Sequence, residues 1–237
     1  MGTSTGPATL DCAVPDDPDE IPLFPLPQVA LFPLATVPLF VFEPRYRQMM
    51  TDVLAGSDRR IGMVAVAEAH RGEMEGNPPV APLGCEGEVA GVEKNPDGTY
   101  RVLLRGTRRI RIVDEQLPDG ERLYRVARVE TVPDLVDVAD REALHAGRTE
   151  VLGLLSELVQ HTTPAHANAF APERFDDIDD EQLVNTLAQA IDLDPHDKQQ
   201  LLELDRVRER QHMLCALMRF RIAELEGGSG QGPATMH

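Results

Sequence analysis

Apolar positions along this chain alternate or run unbroken up to about residue 133, and then recur with helical spacing. A β-rich half is therefore expected over residues 21–133 and a helical half over residues 134–226. IGMVAVA, starting at Ile61, reads as a buried strand. GEVAGVEK and TYRVLLRG flank Asn95-Pro96-Asp97-Gly98 as a hairpin, while RRIRIVD and YRVARVETV alternate charged and apolar residues, giving each one wet and one core face. Residues 71–82, rich in Gly and Pro, read as a loop. In the second half, Leu144, Val151, Leu154, Leu155, Leu158 and Val159 line one side of a helix over residues 141–160 that Thr163-Pro164 ends. Asp179 with Gln182 three residues later resembles a capping box, and Asp194-Pro195 supplies a cap and first-turn proline for a short helix through Leu204. Val207, Leu214, Leu217, Met218 and Leu225 line a final long helix. Residues 1–20 carry five acidic and no basic side chains and read as a disordered leader; residues 227–237 read as a disordered tail.

Residues 21–47, IPLFPLPQVALFPLATVPLFVFEPRYR, stand apart. Pro22, Pro25, Pro27, Pro33 and Pro38 forbid a continuous helix, so the run must form short extended pieces with bends between them. Pro44 suits the first turn of a helix, with Glu43 at the positive end of its dipole. Tyr46, Met49, Met50, Val53 and Leu54 then follow the helical period, and Gly56 is expected to stop it.

That opening, ending in Phe42-Glu43-Pro44-Arg45-Tyr46-Arg47, resembles the signature of the Lon protease N-terminal, substrate-binding domain. The resemblance continues in order through RIGMV from Arg60, LGCEGEV from Leu83, NPDGTYRVLLRG from Asn95 and RIRI from Arg109. Asp180-Glu181-Gln182-Leu183-Val184 and the stretch from Leu193 to Leu204 resemble the family's C-terminal helices, so coverage is roughly residues 21–226. Cys85 stands where the family often has Thr. The resemblance implies an α+β fold, a PUA-like pseudo-barrel followed by a helical bundle. It also implies a stand-alone, non-catalytic domain that binds unfolded polypeptide segments, or a protein partner such as a protease, without ATP. Leu31, Phe32 and Leu34 are the expected polypeptide contacts wherever they reach the barrel rim. Phe42, Glu43, Pro44, Arg45, Tyr46 and Arg47 are expected to be structural, with Glu43 and Arg47 forming an ion pair four residues apart.

Composition narrows the function classes. A net charge of −17 opposes non-specific binding to nucleic acid or anionic membrane. Cys12, Cys85 and Cys215 are widely spaced and carry no Cys-x-x-Cys pair, so neither a disulfide framework nor a zinc site is indicated and a reducing cytoplasm is expected. No secretory signal or membrane span is recognisable.

Catalytic motifs are not found in these residues. Lys94 and Lys198 lack the glycine-rich context of a phosphate-binding P-loop. Ser4, Ser57, Ser156 and Ser229 sit in no recognisable Ser-Lys peptidase motif. His145, His161 and His166 are read as surface histidines, with Pro164 breaking the helix between the last two, and no metal or cofactor is expected. The acids around Asp176, Asp177, Asp179, Asp180 and Glu181 lack the alternation and glycine of a calcium loop. Arg101, Arg105, Arg108, Arg109 and Arg111 form the one basic cluster and carry the alternative reading, RNA binding through the PUA-like half. Tyr100 alone offers a nearby ring, so a charged face paired with carboxylates is the preferred reading.

Overall fold

The structure, a computed structural model, describes residues 19–27, 30–70, 76–165 and 170–228. The chain folds as β1 (Asp19–Leu26), β2 (Thr36–Val41), α1 (Pro44–Ala55), β3 (Arg60–Ala65), β4 (Leu83–Lys94), β5 (Tyr100–Gln116), β6 (Val126–Val132), α2 (Val138–Thr162), α3 (Asp180–Ala190), α4 (Pro195–Glu203) and α5 (Val207–Gly228). All six strands precede α2–α5 in the chain, and α1 stands between β2 and β3. β1 begins at Asp19, so the last two residues assigned to the leader belong to the sheet, paired with Val129 and Arg128. The rest of that leader, and nearly all of the expected tail, lie outside the described residues.

The strands order as β2-β5-β4-β3-β1-β6, and β6 also pairs with β5. This second pairing closes five strands into a barrel. It is possible because β5 is 17 residues long: its first half pairs with β2, from Thr36↔Arg105 to Val41↔Tyr100, and its second with β6, from Arg109↔Val132 to Gln116↔Val126. The sequence suggested two shorter strands here; Gly106 and Thr107 instead continue one strand, because β4 pairs along most of its length. β2 is left outside the closed ring as an edge strand. Pro38, with no N–H to donate, blunts that edge. β1 and β3 run parallel, and the other pairings are antiparallel.

The helices start where their caps allow. Asp137 accepts from the Asp140 amide, Asp179 from the Gln182 amide at 2.7 Å, and Asp194 from the His196 amide at 2.8 Å. Gly56 ends α1 in an extended conformation, φ −78°, ψ 166°, and not in the left-handed one expected of a C-terminal glycine. α2 and α5 pack in parallel, as the cross-contacts Arg206–Asp140, Arg219–Glu150 and His161–Glu226 show.

The two halves share their interior. The largest buried cluster, built on α2, α3 and α5, also takes in Phe32, Ala35 and Leu83 from the β half. A charged staple adds to this seam. Arg109 on β5 and Arg210 on α5 are both buried, and Asp134 between the halves meets both: Oδ1 lies 2.6 Å from Arg109 Nε, a charge contact without hydrogen-bond alignment, and accepts from Arg210 Nη2 at 2.9 Å. Arg210 also donates to Asn185 Oδ1 and to the Leu201 and Leu204 carbonyls, and Arg109 to the Leu202 and Pro133 carbonyls.

Candidate functional site

Leu31 and Phe32 are fully buried, so of the three apolar residues expected to meet polypeptide only Leu34, 40% exposed, is at the surface. The reason is that this segment docks on the protein itself. Gln189 of α3 clamps it, accepting from the Phe32 amide at 3.1 Å and donating to the Ala30 carbonyl at 3.0 Å. The Leu34 amide donates to the Gly106 carbonyl and the Gly106 amide to Ala35, so the segment is bonded to β5 as well.

The exposed apolar surface lies one strand further on. On β2 the outward positions are Thr36, Pro38 and Phe40, and Phe42 continues their alternation; Phe40 and Phe42 are 55% and 60% exposed and stack with centroids 6.0 Å apart. Cross-strand register sets Leu103 opposite Pro38 and Gly91 opposite Leu103, while Val92 stands opposite the buried Val102 at the groove's β4 end. The result is an open groove of about 770 Å³ across β2, β5 and β4, floored by Pro38, Phe40 and Leu103 and rimmed by Glu93 and Arg101, which pair at 3.6 Å. A register shift between Val89 and Gly91, and the absence of a side chain at Gly91, shape the groove's β4 wall. Exposed aromatic and aliphatic side chains gathered on one face have an energetic reason to bind apolar matter, since each loses water-exposed area on contact. The signal for this surface was in the sequence as the outward alternation Pro38, Phe40, Phe42, and composition alone could not say which side of β2 faces the core.

The signature segment has a structural geometry different from the expected one. Glu43 precedes α1 as its N-cap, so it does not share a helical face with Arg47. It accepts instead from Arg45 Nε at 2.9 Å, and that guanidinium also covers the Tyr46 ring at 4.6 Å. Tyr46 packs against Phe24 at 4.4 Å and donates to the Pro25 carbonyl at 3.3 Å, fixing α1 to β1. Arg47 lies against Gly98 of the β4–β5 turn. Burial pushes the Tyr46 phenol up to about 12. Burial likewise raises Tyr124, helped by its bond to Asp52, to about 12. For Tyr100 burial raises, but the Thr51 bond and the Lys94 and Arg47 charges outweigh it, and the net direction is down.

A phenol raised in the folded state contributes no pH dependence below its unfolded value, and costs stability as pH climbs from there to the folded value. Tyr46 is therefore expected to remove roughly 2–3 kcal/mol of stability between about pH 10 and pH 12. Absorbance at 295 nm should show Tyr100 ionising first and Tyr46 and Tyr124 near 12, and Tyr46→Phe should flatten the alkaline end of the stability profile.

The arginine cluster is largely neutralised. Arg105 pairs with Glu88 at 2.8 Å, Arg108 with the buried Glu86 at 2.8 Å, Arg101 with Glu93, and Arg109 belongs to the buried staple. Cys85 is wholly buried and its thiol is pushed up by desolvation, so no thiolate is presented there. Lys198 donates to the Gln189 carbonyl at 2.9 Å. His161 lies at the surface; Glu157 stands one turn before it on α2 and Glu226 of α5 joins them, with ligand atoms within 4.8 Å of one another. All three are exposed, and the Glu157-to-His161 spacing was legible in the sequence. His166 lies outside the described residues.

The sequence profile of the substrate-binding domain of ATP-dependent protease La (Lon) matches residues 20–219. The chain belongs to this family. The chain is 31% identical to Lon protease of Escherichia coli K12 over 212 residues, 87% of this chain and 25% of that protein. It is 30% identical to Lon protease 2 of Sorangium cellulosum over 211 residues, 85% of this chain and 25% of that protein. It thus spans about a quarter of the length of these relatives. Among solved structures it resembles the Lon N-terminal domain protein of Xanthomonas campestris, TM-score 0.57 at 26% identity, covering 84% of this chain and 98% of that one. It also shares the fold of the N-terminal domain of the Mycobacterium avium complex Lon protease, TM-score 0.62 at 20% identity, over 85% and 98% of the two chains. The relatives' ATPase and peptidase motifs do not occur in these 237 residues. Among the described residues no helix is long and apolar enough to cross a membrane.

Proposed function

We propose that this substrate-binding domain holds extended, apolar segments of unfolded polypeptide, or of a protein partner such as a protease, in the β2–β5–β4 groove, without ATP. The observation that carries the reading is the concentration of Phe40, Phe42 and Leu103 on one exposed sheet face beside an edge strand. Such a surface favours apolar side chains at alternate positions of a strand-like segment, because its own side chains are spaced by the pleat. Contacts of this kind are weakly selective for sequence. RNA is disfavoured as the occupant, since four of the five clustered arginines already meet carboxylates.

The test is fluorescence anisotropy with labelled, chemically unfolded casein in nucleotide-free buffer. Saturable binding is expected, weakened about tenfold or more by Phe40→Ser with Leu103→Ser. Because both side chains are solvent-facing, the thermal midpoint should stay within a few degrees of the parent. No binding by the parent protein, or equal binding by the double variant, would sink the reading.

A further inference from the structure

A second concave site lies where the two most recognisable sequence motifs meet. Arg47, Gln48 and Thr51 from α1 face Lys94, Gly98 and Tyr100 from the β4–β5 hairpin across a cavity of about 380 Å³. Its lining holds two cations and no carboxylate. In a chain with net charge −17 this is unusual company, since most of the arginines described above are tied to acids. Among the described residues neither Arg47 nor Lys94 makes a salt bridge. Asp97 senses the Arg47 charge, but its Oδ1 is already occupied by the Thr99 amide at 2.9 Å and hydroxyl at 2.7 Å.

The cations are also held in place. Gly98 sits at φ +82°, a conformation that favours glycine, and a Cβ there would fall 2.2 Å from Arg47 Nη2, so the guanidinium rests directly on the turn. Lys94 Nζ lies 5.2 Å from the centre of the Tyr100 ring. The Tyr100 hydroxyl meets Thr51 Oγ1 at 3.0 Å, and Thr51 Oγ1 donates to the Arg47 carbonyl at 2.9 Å, which ties the hairpin to α1 beside the cations. The downward direction of the Tyr100 phenol agrees with a positive local potential.

We propose that this pocket binds the phosphate group of a small phosphorylated molecule or free phosphate. A planar guanidinium fork with an ammonium beside it suits a dianion with three acceptor oxygens better than a carboxylate, which needs only the fork. The cavity is at the small end of the range for metabolite sites, about 300–1,000 Å³. The site is separate from the apolar groove: Tyr100 and Val41 face inward, whereas Arg101 and Phe40, one residue along each strand, face out.

Amide NMR titration distinguishes the outcomes, using inorganic phosphate, glycerol 3-phosphate and acetate at constant ionic strength. Saturable shifts at Gly98, Tyr100 and Thr51 are expected with phosphate, and tighter ones with glycerol 3-phosphate if a phosphorylated molecule is the ligand. Affinity for glycerol 3-phosphate should rise from pH 5.5 to 7.5 as the dianion forms, the second ionisation of a phosphate monoester lying at about 6. Arg47→Gln and Lys94→Gln should each weaken binding about tenfold or more, and Arg128→Gln should leave it unchanged. Lys94 is exposed, so its variant remains folded even if loss of Arg47 loosens the turn. Unsaturable shifts, acetate binding equal to phosphate, or affinity indifferent to Lys94→Gln would each overturn the proposal.

Discussion

Replacing Asp134 by alanine is expected to cost about 3–5 kcal/mol, a large part of the total stability of a domain of this size. Arg109 and Arg210 have side chains at 0% exposure, and Asp134 is the carboxylate both of them touch. Removing it leaves two buried guanidinium charges with backbone carbonyls, Asn185 and the exposed Asp205 as their remaining acceptors. Carbonyl dipoles offset part of that charge, but they do not neutralise it. Urea denaturation followed by circular dichroism measures the effect, and the midpoint of thermal unfolding should fall by about 10 °C or more. Asp205→Ala is the control: its side chain is 60% exposed, so its pair with Arg109 is screened and its loss should cost under about 1 kcal/mol. A loss that small for Asp134→Ala would show that the staple is not an energetic link between the halves. Converting all three residues to apolar ones of similar volume should recover much of the deficit, since the cost arises from unpaired charge and not from the space.

Gly106→Ala is expected to be the most disruptive single-methyl change, at about 2–4 kcal/mol. The added Cβ would stand 2.1 Å from the Phe32 carbonyl oxygen and 3.3 Å from Cys85 Sγ. Phe32 cannot retreat, because its ring is buried and its amide is bonded to Gln189. The strain must therefore open either the β4–β5 register or the loop that seats Phe32 in the helical core. Gly153→Ala provides the opposite sign. It sits in the middle of α2 with nothing within 4 Å of the added Cβ, so relief of glycine's helical penalty should stabilise the protein by about 0.5–1 kcal/mol. Denaturant midpoints that move the same way for both variants would contradict this account.

The elements that were legible in the sequence are those whose signals are local. The NPDG turn, the Asp179 and Asp194 caps, the first-turn Pro44 and the helical period after residue 134 all act within a few residues, and each appears where its chemistry puts it. The candidate site was legible only in part. Leu31 and Phe32 look like surface contacts in a proline-rich apolar run, but Gln189, far along the chain, decides that they are core. Phe40 looks the same in the sequence and ends outside, 55% exposed, because its strand sits beyond the closed ring. The Glu43–Arg47 pair failed for a local reason: the helix begins one residue after Glu43, so the four-residue spacing does not span a helical face.

By itself, the sequence determined which segments must be extended and which helical, since patterning, prolines and caps act over a few residues and need no partner, and its motifs carried the resemblance to the family. Tertiary structure alone decided the barrel closure by β5, the Arg109–Asp134–Arg210 staple, the outward face of β2 and the meeting of Arg47 with the Lys94–Tyr100 hairpin. Each of these joins residues distant in sequence, where the outcome depends on which surfaces compete for burial and which charges find a counter-charge. A one-dimensional pattern records the preference of each residue for burial, but not the partner that satisfies it.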